Sequence, residues 1–203
     1  ADLVSRPTQA AIVRGAVGLQ IFATTDQRSW DLVRELGLPW VRVEFVWKDI
    51  EPQPGQYKWD VADRIVAQAQ ASGAQTMAVL SYIPDWARDR ADLPERFGRF
   101  AAAMLARYGV DQGRGAIRYW EIFNEPNLPG YGWPKYGLAV RENAYRYAAM
   151  IKAMNLAVRP ANPGAVLISG GLSPEGQPAA TFLQAVYDVL DKRCFDILGL
   201  HPY

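Results

Sequence analysis

Short strand-like runs alternate with longer amphipathic runs along nearly the whole of this 203-residue chain, and that alternation restricts the fold more than any single motif. The strand-like runs are 16–22, 40–46, 76–81, 117–123, 165–169 and 195–200, each rich in β-branched or aromatic residues. Between them the apolar residues change to a helical period. The run 60–72 carries Val61, Ile65, Val66 and Ala69 near a 3.6 repeat and ends before Gly73. A second helix is expected from Asp92, with Glu95 at capping-box spacing and Pro94 in its first turn, burying Phe97, Phe100, Ala101, Met104, Leu105 and Tyr108. A third is expected over 140–159, through Ala144, Tyr147, Ala148, Ile151 and Leu156, and a fourth over 178–190. Strands and helices in this order form βαβ units, and hence a parallel sheet.

Such a sheet is either open and doubly wound or closed into a barrel. An open nucleotide-binding sheet places a glycine-rich turn after its first strand, but Phe22 is followed by Ala23-Thr24-Thr25-Asp26, with no phosphate-cradling pattern. Polar, aromatic and carboxylate residues gather instead after the second, third, fourth and sixth runs. In a (β/α)8 barrel these positions form the face where active sites are built. The expected fold is therefore an α/β (β/α)8 TIM barrel in a single domain over residues 1–203. A barrel of this kind takes about 250 residues and eight strands, so the expectation is about six βα units, with strands 7 and 8 absent. The two open edges invite pairing with a second chain or with a C-terminal segment that completes the barrel.

Composition excludes several partners. Twenty-two basic residues against 21 acidic ones leave a net charge of +1, too small a field to recruit nucleic acid or an anionic membrane. Seven tryptophans suit a cleft that stacks on flat ligand faces. The single cysteine, Cys194, leaves no internal disulfide framework, and Phe195 and Ile197 beside it suggest a buried, inert thiol. The first seven residues lack a basic stretch followed by an apolar one, and no apolar run approaches the ~18 residues of a membrane span. The compartment stays open, with a secreted or periplasmic location favoured. No cofactor is expected.

Chemistry concentrates in the fourth run and its continuation, Trp120-Glu121-Ile122-Phe123-Asn124-Glu125-Pro126-Asn127. Period-two alternation puts Tyr119, Glu121 and Phe123 on one face and Trp120 and Ile122 on the other, so Glu121 is a carboxylate in an otherwise buried strand and requires a partner. Arg42 and Glu44 share one face of the second strand, and a buried charge network with Glu121 follows. Glu125 stands at the strand end, held by the stiffening Pro126 and Pro129. Glycoside hydrolysis needs one carboxyl group to protonate the leaving oxygen and a second, ionised, on the other side of the bond.

The run from Trp120 to Asn127 resembles the strand-4 motif of clan-A glycoside hydrolases, and the arrangement of the whole chain is most similar to family 39 and its bacterial relatives that cut exopolysaccharide. The resemblance implies that Glu125 is the general acid/base and that Asn124 contacts the sugar 2-hydroxyl. The segment Val41-Arg42-Val43-Glu44-Phe45-Val46-Trp47-Lys48-Asp49-Ile50-Glu51-Pro52, with Gly55, Tyr57, Trp59 and Asp60, is similar to the clan's strand-2 signature. Arg42 is there either architectural or part of the active site, whereas Trp47, Glu51, Tyr57 and Trp59 fix the loop. After the third strand, Tyr82-Ile83-Pro84-Asp85-Trp86 looks like the loop that carries an aromatic beside the sugar, and Trp86 is either that platform or a plug. The ending His201-Pro202-Tyr203 resembles the clan's strand-6 end, which implies that both rings line the cleft and that the tyrosine bonds the nucleophile. Tyr131, Trp133 and Tyr136 either extend the sugar surface or pack a loop.

The resemblance implies a retaining enzyme whose nucleophilic glutamate belongs to strand 7, so this chain alone is expected to be inactive. A non-catalytic sugar-binding module using Trp86, Tyr203 and Asn124 is the alternative. A metal-dependent hydrolase is disfavoured, because one histidine without paired strand-end ligands does not build a typical site; no metal is expected.

Overall fold

A computed structural model of the chain describes residues 17–22, 27–111, 115–128, 138–190 and 194–203. Five strands, β1 (Gly18–Ile21), β2 (Trp40–Val46), β3 (Gln75–Ser81), β4 (Tyr119–Ile122) and β5 (Val166–Ser169), form one all-parallel sheet in the order β1-β2-β3-β4-β5. Every strand pairs with its successor in the chain. A doubly wound sheet would reverse its order at a switch point, whereas sequential addition in one direction is how a barrel is wound. The sheet therefore follows the barrel expectation.

The helices are α1 (Gln27–Glu35), α2 (Trp47–Ile50), α3 (Asp60–Ser72), α4 (Asp85–Arg88), α5 (Leu93–Tyr108), α6 (Val140–Val158) and α7 (Ala179–Val189). They cover the sheet face formed by Val43, Phe45, Ala78, Leu80, Trp120, Ile122 and Leu167, all at most 1% exposed. Trp47, Phe97, Phe100 and Phe123 form a chain of ring contacts in this layer, with centroids 5.0–5.8 Å apart. Each such aromatic contributes about 1.5–3 kcal/mol of burial. Gly98 lets α5 approach α6 closely, since a Cβ there would stand 2.9 Å from the Ala153 carbonyl oxygen.

Several local expectations change. The segment 195–200 does lie parallel beside β5, through the bridges Ile168↔Ile197 and Leu172↔Leu200, but it does not form a continuous strand. Gly199 is pressed against the Ser169 carbonyl, and no described strand pairs with the segment's other side. The helix beginning after Asp92 lacks the capping box. Asp92 makes no side-chain cap, and its carboxylate binds Arg96 at 2.8 Å and Arg90 at 3.2 Å instead. Those hydrogen bonds, with Arg96 foremost, lower its pKa to about 2. On α3 the buried stripe runs through Ala62, Ile65, Val66 and Ala69, and Val61 is exposed. Gly73 ends that helix in the left-handed conformation, at φ 74°, as its position predicts.

Short α1, α2 and α4 are additional to the predicted helices. Cys194 is buried. No described helix is long and apolar enough to cross a membrane. Ala23 to Asp26 and the aromatics Tyr131, Trp133 and Tyr136 lie outside the described residues.

Candidate active site at the end of the fourth strand

The strand-end geometry departs from simple alternation. Trp120 and Ile122 face the helices and Glu121 the sheet's other face, but Phe123, expected beside Glu121, turns to the helix side and stacks on Phe97 of α5 at 5.0 Å. The cause is local. Phe123 adopts a left-handed backbone at φ 60°, as does Glu125 at φ 46°. In an extended strand Asn124 and Glu125 would point to opposite sides; the turn at Phe123 releases both from that constraint. Left-handed non-glycine residues cost on the order of 1–3 kcal/mol each and persist only where their surroundings hold them.

Those surroundings come from α6 and from the loops after β4 and β5. The Tyr147 hydroxyl, on α6, donates to the Ile122 carbonyl at 2.8 Å and accepts from the Gly170 amide at 2.7 Å. Burial pushes this phenol's pKa far up, so it remains a neutral bridge. Gly170 is required here, because a Cβ would stand 2.5 Å from the Phe123 carbonyl oxygen. Asn127, fully buried, donates to the carbonyls of Ser173 and Gln177 at 2.7 and 2.8 Å and accepts from the Ser173 amide at 2.9 Å. Asn143 of α6 donates to the Pro126 carbonyl at 3.0 Å.

Below the turn lies the expected charge network. Arg42 makes a two-pronged pair with Glu121, Nε to Oε2 at 2.7 Å and Nη2 to Oε1 at 2.8 Å. The same Nη2 donates to Asn124 Oδ1 at 2.8 Å, and Nη1 to Gln20 Oε1 at 2.5 Å. Glu121 also accepts from the Gly171 amide at 3.1 Å. Burial pulls the guanidinium pKa down, but the hydrogen bond and charge of Glu121 outweigh it and raise the pKa overall. Arg42 is thereby permanently charged and orients Asn124.

Glu125 is 5% exposed, and its Oε1 lies 2.8 Å from His201 Nδ1. The imidazole occupies the space a side chain at Gly171 would need. Tyr203 stacks on His201 with centroids 5.4 Å apart and an interplanar angle of 20°, and the residue is 83% exposed. Arg42 with Asn124, and Glu125 with His201 and Tyr203, thus form two adjoining groups that meet at the neighbouring residues Asn124 and Glu125 at the end of β4.

Trp86 stands apart. Its indole N–H donates to the Glu51 carbonyl at 3.0 Å, its ring meets Trp47 edge to face at 5.8 Å, and the Arg96 guanidinium covers it at 5.5 Å. These contacts fix the part-buried Trp86 in the loop after β3. Glu51 completes the same anchor by accepting from Trp47 Nε1 and the Gly55 amide, each at 2.7 Å, while Tyr57 stacks on Trp59 at 4.9 Å.

The family model described as Beta-galactosidase, glycoside hydrolase family 42, matches residues 20–90, roughly a third of the chain, which contain the end of β1, all of β2 and β3, and Arg42. Solved structures extend the likeness across the site. A family 39 glycoside hydrolase from the gut symbiont Bacteroides cellulosilyticus WH2 superposes with TM-score 0.69 at 20% identity, covering 91% of this chain and 38% of that one. The fold is that of glycoside hydrolase barrels. A β-galactosidase from the psychrophilic Marinomonas ef1 gives TM-score 0.63 at 15% identity over 92% of this chain and 40% of its own. Endo-glycoceramidase II from Rhodococcus sp., solved as a lactosyl-enzyme intermediate, gives 0.60 at 16% over 78% and 50%. The chain thus spans half or less of each of these structures.

Gln20, Asn127, Tyr147 and the Gly171 amide hold the site through contacts that the sequence alone does not show. A lone Gln inside an apolar strand, and a Tyr on the buried stripe of a helix, were the available signals, since a buried polar tip needs a partner.

Proposed function

We propose that this chain carries the acid/base half of the active site of a retaining glycoside hydrolase acting on β-linked oligo- or polysaccharides. Glu125 protonates the leaving oxygen and then deprotonates the incoming water. Asn124, aimed by Arg42, contacts the sugar 2-hydroxyl; His201 and Tyr203 line the cleft, and Trp86 anchors the loop after β3. The observation that carries the reading is the buried Glu125 carboxylate 2.8 Å from His201, at a strand end whose left-handed turn frees it together with Asn124.

Support also comes from the glycosidase folds this chain resembles, one of them solved with a lactosyl-enzyme intermediate. Retention requires a second glutamate about 5–5.5 Å from Glu125. Glu121, already committed to Arg42 and Gly171, is not free to attack a sugar. The nucleophile therefore belongs to a further strand, supplied by a C-terminal segment or a second chain that closes the barrel, and residues 1–203 alone turn over no substrate. In the closed barrel, Glu125→Gln is expected to lower sugar release by about 10²–10⁴-fold. Equal turnover by the two proteins would refute the assignment.

A further inference from the structure

Glu44 is a third carboxylate on the inner face of the sheet, beside Glu121 and Glu125. It lies two residues beyond Arg42 on the same face of β2, and parallel pairing puts it in one row with Val79 of β3 and Glu121 of β4. Glu44 and Glu121 thus flank Val79, roughly 10 Å apart at the spacing of two neighbouring strands. The side chain is 9% exposed, yet among the described residues nothing hydrogen-bonds to its carboxylate. Arg42 acts on it only as a nearby charge, because its Nε, Nη1 and Nη2 groups point to Glu121, Gln20 and Asn124. Desolvation raises its pKa, Arg42 opposes this and Glu121 adds to it. A carboxylate largely withdrawn from water and without a protein hydrogen bond is costly, and such a cost persists where a ligand repays it.

We infer that Glu44 is a specificity-determining residue of the proposed glycosidase cleft, accepting hydrogen bonds from hydroxyls of an uncharged sugar and disfavouring a uronate. The inference rests on the glycosidase reading of Glu125. An ionised carboxylate accepts through two oxygens and has no donor, which matches a sugar diol. Three carboxylates, Glu44, Glu121 and Glu125, surround one guanidinium and one imidazole, so a further carboxylate on the ligand meets repulsion. Burial on this scale would be wasteful for a purely architectural group.

Saturation-transfer NMR of the 203-residue chain with methyl β-glycosides of glucose, galactose, mannose and xylose, and with methyl β-glucuronide, tests this, alongside thermal melting of Glu44→Gln at neutral pH. A neutral glycoside should bind more tightly than the glucuronide, Glu44→Gln should weaken it by about tenfold or more, and the variant should melt at a higher temperature than the parent. A lower melting temperature would make Glu44 structural and overturn the inference, as would unchanged sugar binding or a preference for the glucuronide. Those outcomes leave the Glu125 reading standing. Binding of no glycoside by the parent chain would also overturn the inference, and it leaves standing the Glu125 reading, which is tested by turnover in the closed barrel.

Discussion

Arg42 illustrates how one side chain sets the geometry of a site without touching the reacting bond. Its guanidinium satisfies Glu121 and Asn124 together. Replacing it with Met leaves Glu121 as an uncompensated buried charge, and we expect a loss of about 3–5 kcal/mol in urea unfolding; a loss under about 1 kcal/mol would make the pair dispensable. Glu44 works in the opposite direction. Its folded-state pKa lies above its unfolded one, through burial first and the Glu121 charge second, against Arg42. Its contribution is therefore favourable below the unfolded value and is lost as pH rises through the folded one. Melting curves of Glu44→Gln and parent should converge near pH 4 and separate toward neutrality, with the variant more stable. Parallel curves would contradict this.

At the scale of the elements, the decisive feature is the end of β4, where two left-handed residues break the strand's alternation. The strand itself was legible, and so was the Arg42–Glu121 pair, because a carboxylate inside a buried strand demands a cation. The turn of Phe123 to the helix side was not legible, since period two holds only while the backbone stays extended. What stabilises the turn comes from α6 and the loop after β5, far along the chain. Tyr147→Phe removes the bridge between the Ile122 carbonyl and the Gly170 amide, leaving two buried groups unsatisfied. We expect it to cost about 1–3 kcal/mol in stability; an unchanged midpoint would assign the support to Asn127 and Asn143 alone.

The whole molecule joins segments that are distant in sequence. Barrel winding was readable because strands and helices recur in strict order, and the sheet follows it strand by strand. The sixth pass was overestimated: an apolar run marks a candidate strand, whereas continuous pairing also depends on neighbours and on tight spots such as Gly199. Trp86 could not be resolved from its position, because a platform and a plug have the same composition; its contacts with Glu51, Trp47 and Arg96 show how the ring is held in its loop. Exposed Val17, Leu19, Phe22, Leu198 and Leu200 flank the two ends of the sheet, where the proposed closing strands would pack. The most direct test of the account is turnover of an activated aryl β-glycoside by the closed barrel carrying Glu125→Ala, with and without azide. The account predicts a deep loss of activity that azide partly restores, with a β-glycosyl azide as product, because the small anion can attack the glycosyl-enzyme without a general base. Full activity in the variant, with no azide adduct, would contradict it.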